Sequence, residues 1–393
     1  MSAKSRGLKF GVFTGPYHLV GVNPTLAIRR DLEIVDHLDA LGFHEIWFGE
    51  HHSSGVETIA SPELMIAAAA ERTKHIRLGT GVSSLPYHHP FMLADRIVQL
   101  DHMTRGRMMF GVGPGQLLQD ATTLGIEPST QRERMEEALG VMLRLFAGET
   151  VTHESDWFIL RDGALQLRPY SDFEIAVTAA VSPTGPKLAG RLGLSLLSLA
   201  ATDPAAVDRL AGHWDVLEVE AQEHGHVADR STWRLMGPMH IAESLEQAKK
   251  NMEHGFLWLM NYMKHVSPTT SGEFTDISEL VDVMNETGKG VIGTPEMAVA
   301  QLKRLEEKSG GYGTYLMQGA DYASFSATMR SYELFAEQVM PHFTGALESV
   351  VDSHDRLVAS AGASVKATSA SQAAATARYQ AERETREPTG ARS

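Results

Sequence analysis

The sequence contains no cysteine in 393 residues. That excludes disulfides, zinc-thiolate centres and a thiol nucleophile together. It has no basic surplus either: 35 Lys and Arg stand against 49 Asp and Glu, a formal net charge of −14. Nothing beyond a local basic patch is left to neutralise a nucleic-acid backbone. No apolar run approaches the roughly 20 residues a membrane helix requires. The opening Met1 to Gly7 is short and polar, unlike a secretory leader, so a soluble cytoplasmic protein is expected. What is present is an apolar fraction of 43%, enough for a sizeable core. The length suits either one barrel domain of roughly 250 to 350 residues with insertions or two ordinary domains.

Short apolar runs alternate with helix-length runs eight times. The expected strands are Leu8–Phe13, His44–Gly49, Ile76–Ser83, Met108–Gly113, Ile175–Val181, Leu194–Leu199, Trp233–Ile241 and Gly313–Gln318. Helix starts are written between them: Asn23-Pro24 and Ser61-Pro62 each place a capping residue before a proline suited to the first helical position. One βα unit repeated in this way predicts a parallel sheet, here a (β/α)8 TIM barrel. The barrel is expected over residues 1–345, with insertions at about 148–172 and 243–294. The first carries Asp162-Gly163, a hairpin turn signal between Trp157–Leu160 and Leu165–Leu167. The second is too long for a simple connection and predicts extra helices over the site. In residues 346–393 large apolar residues thin out, predicting a disordered tail or a peripheral helix.

The chemically unusual residues gather just after the short runs: Gly15-Pro16-Tyr17-His18, Glu50-His51-His52, Thr80-Gly81, Gly113-Pro114-Gly115, Ser182-Pro183-Thr184-Gly185 and Gln318-Gly319-Ala320-Asp321. In a barrel those positions share one end, where loops from many strands build one site. Adjacent strand residues point to opposite faces, so His51 and His52 do not converge on one metal, and no metal site is expected. Packing and catalysis are equally open readings of the pair. Gly111-Val112-Gly113-Pro114-Gly115 imitates a dinucleotide fingerprint poorly, because proline replaces a donor and the loop follows the fourth strand. Bare backbone approaching a flat ligand is the better reading. Ser182, Thr184 and Gly185 open a helix, which suits a phosphate or, equally, an ordinary cap. Arg132, at the start of the fourth helix, is either a phosphate partner or a surface charge. The loop Leu85 to Pro90, with Tyr87, lines the pocket or only shapes a turn.

Taken in order, these residues resemble the bacterial luciferase-like, flavin-dependent monooxygenases. The landmarks are Lys9–Phe13, Trp47-Phe48-Gly49-Glu50-His51-His52, Ile76–Gly81, Leu100–Arg107, Gly293-Thr294-Pro295 and Val339-Met340-Pro341. Gly49–Gly55, and Gly113–Gln116 with Gly125–Pro128, resemble the limonene-oxidising members. The resemblance implies a barrel binding reduced FMN, supplied by a separate flavin reductase. It also implies a flavin 4a-hydroperoxide that passes one oxygen atom from O2 to a small apolar substrate, a terpene or cyclic ketone. His51 then handles protons beside the ring. Thr80, Gly81 and Gly113 lie along the ring, and Arg132, Ser182, Thr184 and Gly185 hold the phosphate. Phe13, His52, Tyr87, Trp258 and Gln318 are the substrate-pocket candidates. A homodimer is implied as well. The light-emitting members carry Cys-Arg in place of Gly113-Pro114, and a glutamate in place of Val181, so light emission is not expected. A deazaflavin-dependent hydride transfer enzyme and a non-catalytic flavin-binding subunit are the alternatives.

Overall fold

The computed structural model describes residues 7–266 and 274–386. Eight parallel strands close into a barrel: β1 Lys9–Tyr17, β2 Glu45–Phe48, β3 Arg77–Ser84, β4 Met108–Gly113, β5 Glu174–Ala179, β6 Ser195–Ser198, β7 Arg234–Gly237 and β8 Thr314–Ala320. Each pairs with the next in sequence, and β8 returns to β1. The (β/α)8 architecture expected from the rhythm is therefore present. The inward side chains Phe13, Trp47, Met109, Ala176, Leu197, Met236 and Leu316 pack together inside it. Gly81 is required there. A Cβ at that position would come within 2.8 Å of both the Phe13 ring and Trp47 Cβ, a separation ordinary packing does not allow. The Gly81–Val82 peptide is cis.

Local signals set the outer layer. Asn23 Oδ1 accepts from the Thr25 and Leu26 N–H groups and starts the helix Pro24–Leu41, and Gly42 ends it in the left-handed conformation. Ser61 precedes the helix Pro62–Ala70 without capping it, since its hydroxyl donates to Glu63 instead.

Four departures have physical causes. β1 runs on through Tyr17 because Thr14 and Tyr17 still pair with Gly319 and Ala320. The seventh strand divides at Pro238: Arg234–Gly237 stays in the barrel, and Met239–Ile241 pairs with Val291–Gly293. Proline has no N–H to continue a ladder. The hairpin reverses at residues 155–158, where the Ser155 N–H donates to Phe158 O, and not at Asp162-Gly163. Asp162 takes φ +47° and lies in the register shift opposite Thr152, with which it exchanges hydrogen bonds. The tail, in a separate unit beginning at Thr344, forms one 39-residue helix, Glu348–Arg386, exposed throughout its described length. Its many Ala, Glu, Gln and Arg residues are strong helix formers.

The segment after β7 carries the helices Leu245–Met252, Phe256–Val266 and Ile277–Thr287. They share an apolar cluster in which Phe256, Met260 and Met284 meet Tyr322, with Tyr17 and Tyr262 packed against it. Residues 267–273 of this segment lie outside the described residues.

The two ends of the barrel hold different electrostatics. At the strand starts, Arg234 is buried with Nε 2.6 Å from Glu45 Oε1 and Nη2 2.9 Å from Glu174 Oε2. Arg77 reaches Glu174 at 3.0 Å, and the Trp47 indole N–H donates to Glu45 at 2.9 Å. Burial alone would raise the Glu174 carboxyl, but the Arg234 guanidinium outweighs it and holds it at about 2. Arginine keeps its charge at every working pH, so this end is a fixed ionic plug.

Beyond β1, His18 joins Asp31 Oδ2 at 3.0 Å through Nε2 and Asp321 Oδ2 at 3.1 Å through Nδ1. A cavity of about 240 Å³ lined by Asn23, Leu26, Arg30 and Asp321 reaches the same ring. Burial disfavours the imidazolium, yet the two carboxylate hydrogen bonds prevail and lift it from 6.5 to about 10. The clasp therefore contributes its full stability below pH 6.5 and loses it as pH rises through about 10. In thermal unfolding, the wild-type lead over His18→Gln should be full near pH 6 and shrink as pH climbs from 6.5 toward 10. A lead that stays constant across that range would contradict the clasp.

Candidate active site

At the strand ends the same carboxylate-rich pattern recurs with different partners. Glu50, just past β2, is buried and accepts from Ser84 N–H at 2.7 Å. Its Oε1 meets His88 Nε2 at 2.6 Å and His52 Nε2 at 3.2 Å. Burial works against its charge, but these donors hold it at about 2. An ionised carboxylate only accepts, so Nε2 of each histidine carries the proton.

His51 lies between two carboxylates. Nδ1 is 3.1 Å from Asp120 Oδ2, and Nε2 is 3.1 Å from Glu57 Oε2. Asp120 comes from Leu118–Thr123, a short helix in the loop after β4. It also accepts from the His52 N–H at 3.0 Å and from the Ser53 hydroxyl. Despite burial, these donors keep its carboxyl below the ordinary range. Glu57 is only 7% exposed. Burial lifts it to about 7, aided by the Asp120 charge and opposed by His51 and the Tyr17 hydroxyl. Tyr17 ends β1 and bridges to Glu57 through the backbone. Both ring nitrogens of His51 thus face oxygen acceptors. Either His51 is an imidazolium or Glu57 holds the proton between them. Burial disfavours the His51 cation, but the carboxylates outweigh it and raise its affinity for a proton.

The remaining expected residues divide. Thr80 does not line the mouth: it is fully buried, and its hydroxyl donates to Gly111 O at 2.8 Å and accepts from the Gly111 N–H at 3.0 Å. Its polarity belongs to the β3–β4 seam. Phe13 lies among the barrel's inward core residues. Gly113 ends β4 opposite Ser84, beside Val82 and Thr178. Tyr87 meets His52 edge to face at 6.0 Å and accepts from Gln131 Nε2 at 3.2 Å. The same Gln131 amide donates to Pro114 O at 2.9 Å and so holds the proline-bearing loop. Gln318 accepts from the Tyr322 hydroxyl at 2.7 Å. Trp258 is partly exposed and stacks on Tyr262 at 5.8 Å.

At the fifth loop Ser182 and Thr184 are exposed, their hydroxyls 2.6 Å apart, and the Ser182 hydroxyl accepts from the Thr184 N–H. Thr184 opens the helix Thr184–Leu192. Gly185 sits so close to β5 that a Cβ would meet Thr178 O at 2.2 Å, which brings the helix start down onto the strand end. Arg132 begins the neighbouring helix Gln131–Phe146 and is exposed, with no ion pair among the described residues. An Arg191–Glu136 ion pair ties these two helices together. Ser182, Thr184 and Gly185 are therefore adjacent, and Arg132 opens the helix preceding β5. Glu57 and Asp120 were not anticipated as site residues, and Tyr17 and His88 only as members of their loops.

Comparison with known proteins finds monooxygenases over most of the chain and, over 42% of it, an F420-dependent glucose-6-phosphate dehydrogenase of Microbacterium testaceum at 30% identity. The family model described as luciferase-like monooxygenase matches residues 8–312. The chain is 52% identical over 374 residues to limonene 1,2-monooxygenase of Rhodococcus erythropolis, covering 95% of this chain and 96% of that protein. It is 43% identical to 4-hydroxyprotoasukamycin monooxygenase of Streptomyces nodosus subsp. asukaensis, covering 88% and 95%. Among solved structures, it matches the oxygenating constituent of 3,6-diketocamphane monooxygenase from Pseudomonas putida, a type II Baeyer-Villiger enzyme in complex with FMN. That match has a TM-score of 0.71 and 25% identity over 85% of this chain and 98% of the other.

Proposed function

The chain belongs to the luciferase-like monooxygenase family, and from that premise we propose that it uses reduced FMN and O2 to oxygenate a terpene, with limonene the first substrate to try. The observation that carries this reading is His51 just past β2, held between the Asp120 and Glu57 carboxylates. The residues present fit the cofactor. The exposed Ser182 and Thr184 hydroxyls, the Gly185 N–H at a helix start and the unpaired Arg132 would hold a phosphate. The backbone at Gly81 and Gly113 would border the flat ring. Reduced FMN, when bound, supplies the two electrons that send one oxygen atom of O2 to the substrate and the other to water. His51 and Glu57 hold a proton between Nε2 and Oε2, available for transfer. Tyr262 of the Phe256–Val266 helix faces the Glu57 and Asp120 carboxylates, so this helix would cover that side of the site and limit water there.

We also infer a separate reductase as the source of reduced flavin. The FMN-bound relative is itself named an oxygenating constituent. The test is turnover of limonene with a flavin reductase, NADH, FMN and labelled O2. One labelled oxygen atom in the product, absent without the reductase, supports the proposal. Turnover with a reduced deazaflavin in the absence of O2, or no labelled product from any terpene or cyclic ketone, contradicts it. Arg132→Ala is expected to weaken reduced-FMN binding by about tenfold, the worth of one charge-assisted hydrogen bond. Riboflavin, which lacks the phosphate, should bind both proteins equally in the same fluorescence titration.

A further inference from the structure

We propose that Glu57 is the positioning residue that decides whether His51 holds or gives up its Nε2 proton, whereas Asp120 only anchors the ring. The two carboxylates are not equivalent. Asp120 accepts from three groups, the His51 ring, the His52 N–H and the Ser53 hydroxyl, and is fixed as an anion. Among the described residues the Glu57 carboxylate meets the His51 ring and the Tyr17 hydroxyl, in a buried setting. One mobile proton therefore lies between Nε2 of His51 and Oε2 of Glu57. On transfer the N–H bond breaks and an O–H bond forms, leaving a neutral imidazole whose Nδ1–H still points at Asp120. Charge is conserved, because the ion pair becomes two neutral groups.

The surroundings suit that exchange. Among the described residues the groups facing the pair are Tyr17 from β1, Asp120 from the loop after β4, Glu50 and His52 from the loop after β2, and Tyr262 from the Phe256–Val266 helix. None is a lysine or arginine that would lock Glu57 as an anion. Asp120 repels a second negative charge, and burial adds to this, so Glu57 takes up a proton near neutrality while Asp120 does not. Tyr17 itself is pushed well above its ordinary range, by burial first and then by Glu57, and stays a neutral donor.

The use of that proton in oxygen transfer rests on the role of His51 under Proposed function; the coupling to Glu57 does not. The test is a nitrogen-15 histidine titration of the flavin-free chain by nuclear magnetic resonance, with the His51 signal assigned by its loss in His51→Gln. In Glu57→Gln the His51 midpoint should fall by about one to three pH units, the usual effect of losing a neighbouring opposite charge. Glu57→Asp, which keeps the charge but shortens the reach, should give an intermediate midpoint and serves if the glutamine variant does not fold. The pH profile of product yield per NADH should move with the midpoint, with flavin affinity unchanged. An unmoved midpoint in a folded variant overturns the proposal. A moved midpoint with an unmoved yield profile supports the coupling and overturns the catalytic role assigned to His51.

Discussion

His51→Ala is expected to lower product formation by about a hundredfold or more, the range set by losing a positioned proton donor. Oxygen consumption should continue, with hydrogen peroxide released in place of product. The reason is local. The ring is joined to both Asp120 and Glu57, and its removal leaves two acid groups without the base between them. His51→Gln fills much of the same volume and separates a packing defect from a chemical one. Both variants should bind reduced FMN as the wild type does, because the phosphate cradle proposed at Ser182, Thr184 and Arg132 lies on other elements. Peroxide release and product yield, measured in the same assay, decide the matter. Unchanged coupling in His51→Ala removes the imidazole from the mechanism.

The second large effect lies at the opposite end of the barrel. Arg234→Met should destabilise the fold by about 3 to 5 kcal/mol, the loss expected when one partner of a buried ion cluster is deleted. Methionine matches the length but leaves Glu45 without a cation, and Glu174 keeps Arg77 and the Ser195 hydroxyl. Urea unfolding monitored by tryptophan fluorescence reads it directly, since Trp47 lies under the Arg234 guanidinium at 5.0 Å. Because arginine does not titrate in this range, the contribution rests on the carboxylates. It is full above the ordinary glutamate value of 4.5 and falls away only as pH drops toward about 2. A loss well under 1 kcal/mol would mean that the plug is solvated and of the surface kind.

The contrast between the ends explains much of what was legible in the sequence. Eight apolar runs at regular spacing fixed the barrel, because buried parallel strands need continuous apolar segments. Glu50-His51-His52 marked the mouth because charged groups directly after a buried strand have nowhere else to go. Glu57 and Asp120 were not visible. Asp120 approaches His51 only through the short helix Leu118–Thr123, whose sequence LQDATT has no apolar periodicity to announce it. Glu57 is six residues beyond His51, and it returns to the ring only because Tyr17 and Glu57 form a backbone bridge. Thr80 misled for the opposite reason. A hydroxyl at a strand end suggests a ligand, yet Gly111 on the next strand takes both its hydrogen bonds. Asp162-Gly163 carries turn-forming residues, but a positive φ serves a register shift in a strand as well as it serves a turn.

The assembly of one site from loops that are distant in sequence is tested most directly by a crystal structure of the chain with FMN. The phosphate should lie within hydrogen-bonding distance of the Ser182 and Thr184 hydroxyls and the Gly185 N–H, with the Arg132 guanidinium alongside and the ring edge next to His51. A phosphate seated elsewhere, or a ring separated from His51 by other side chains, would contradict the account.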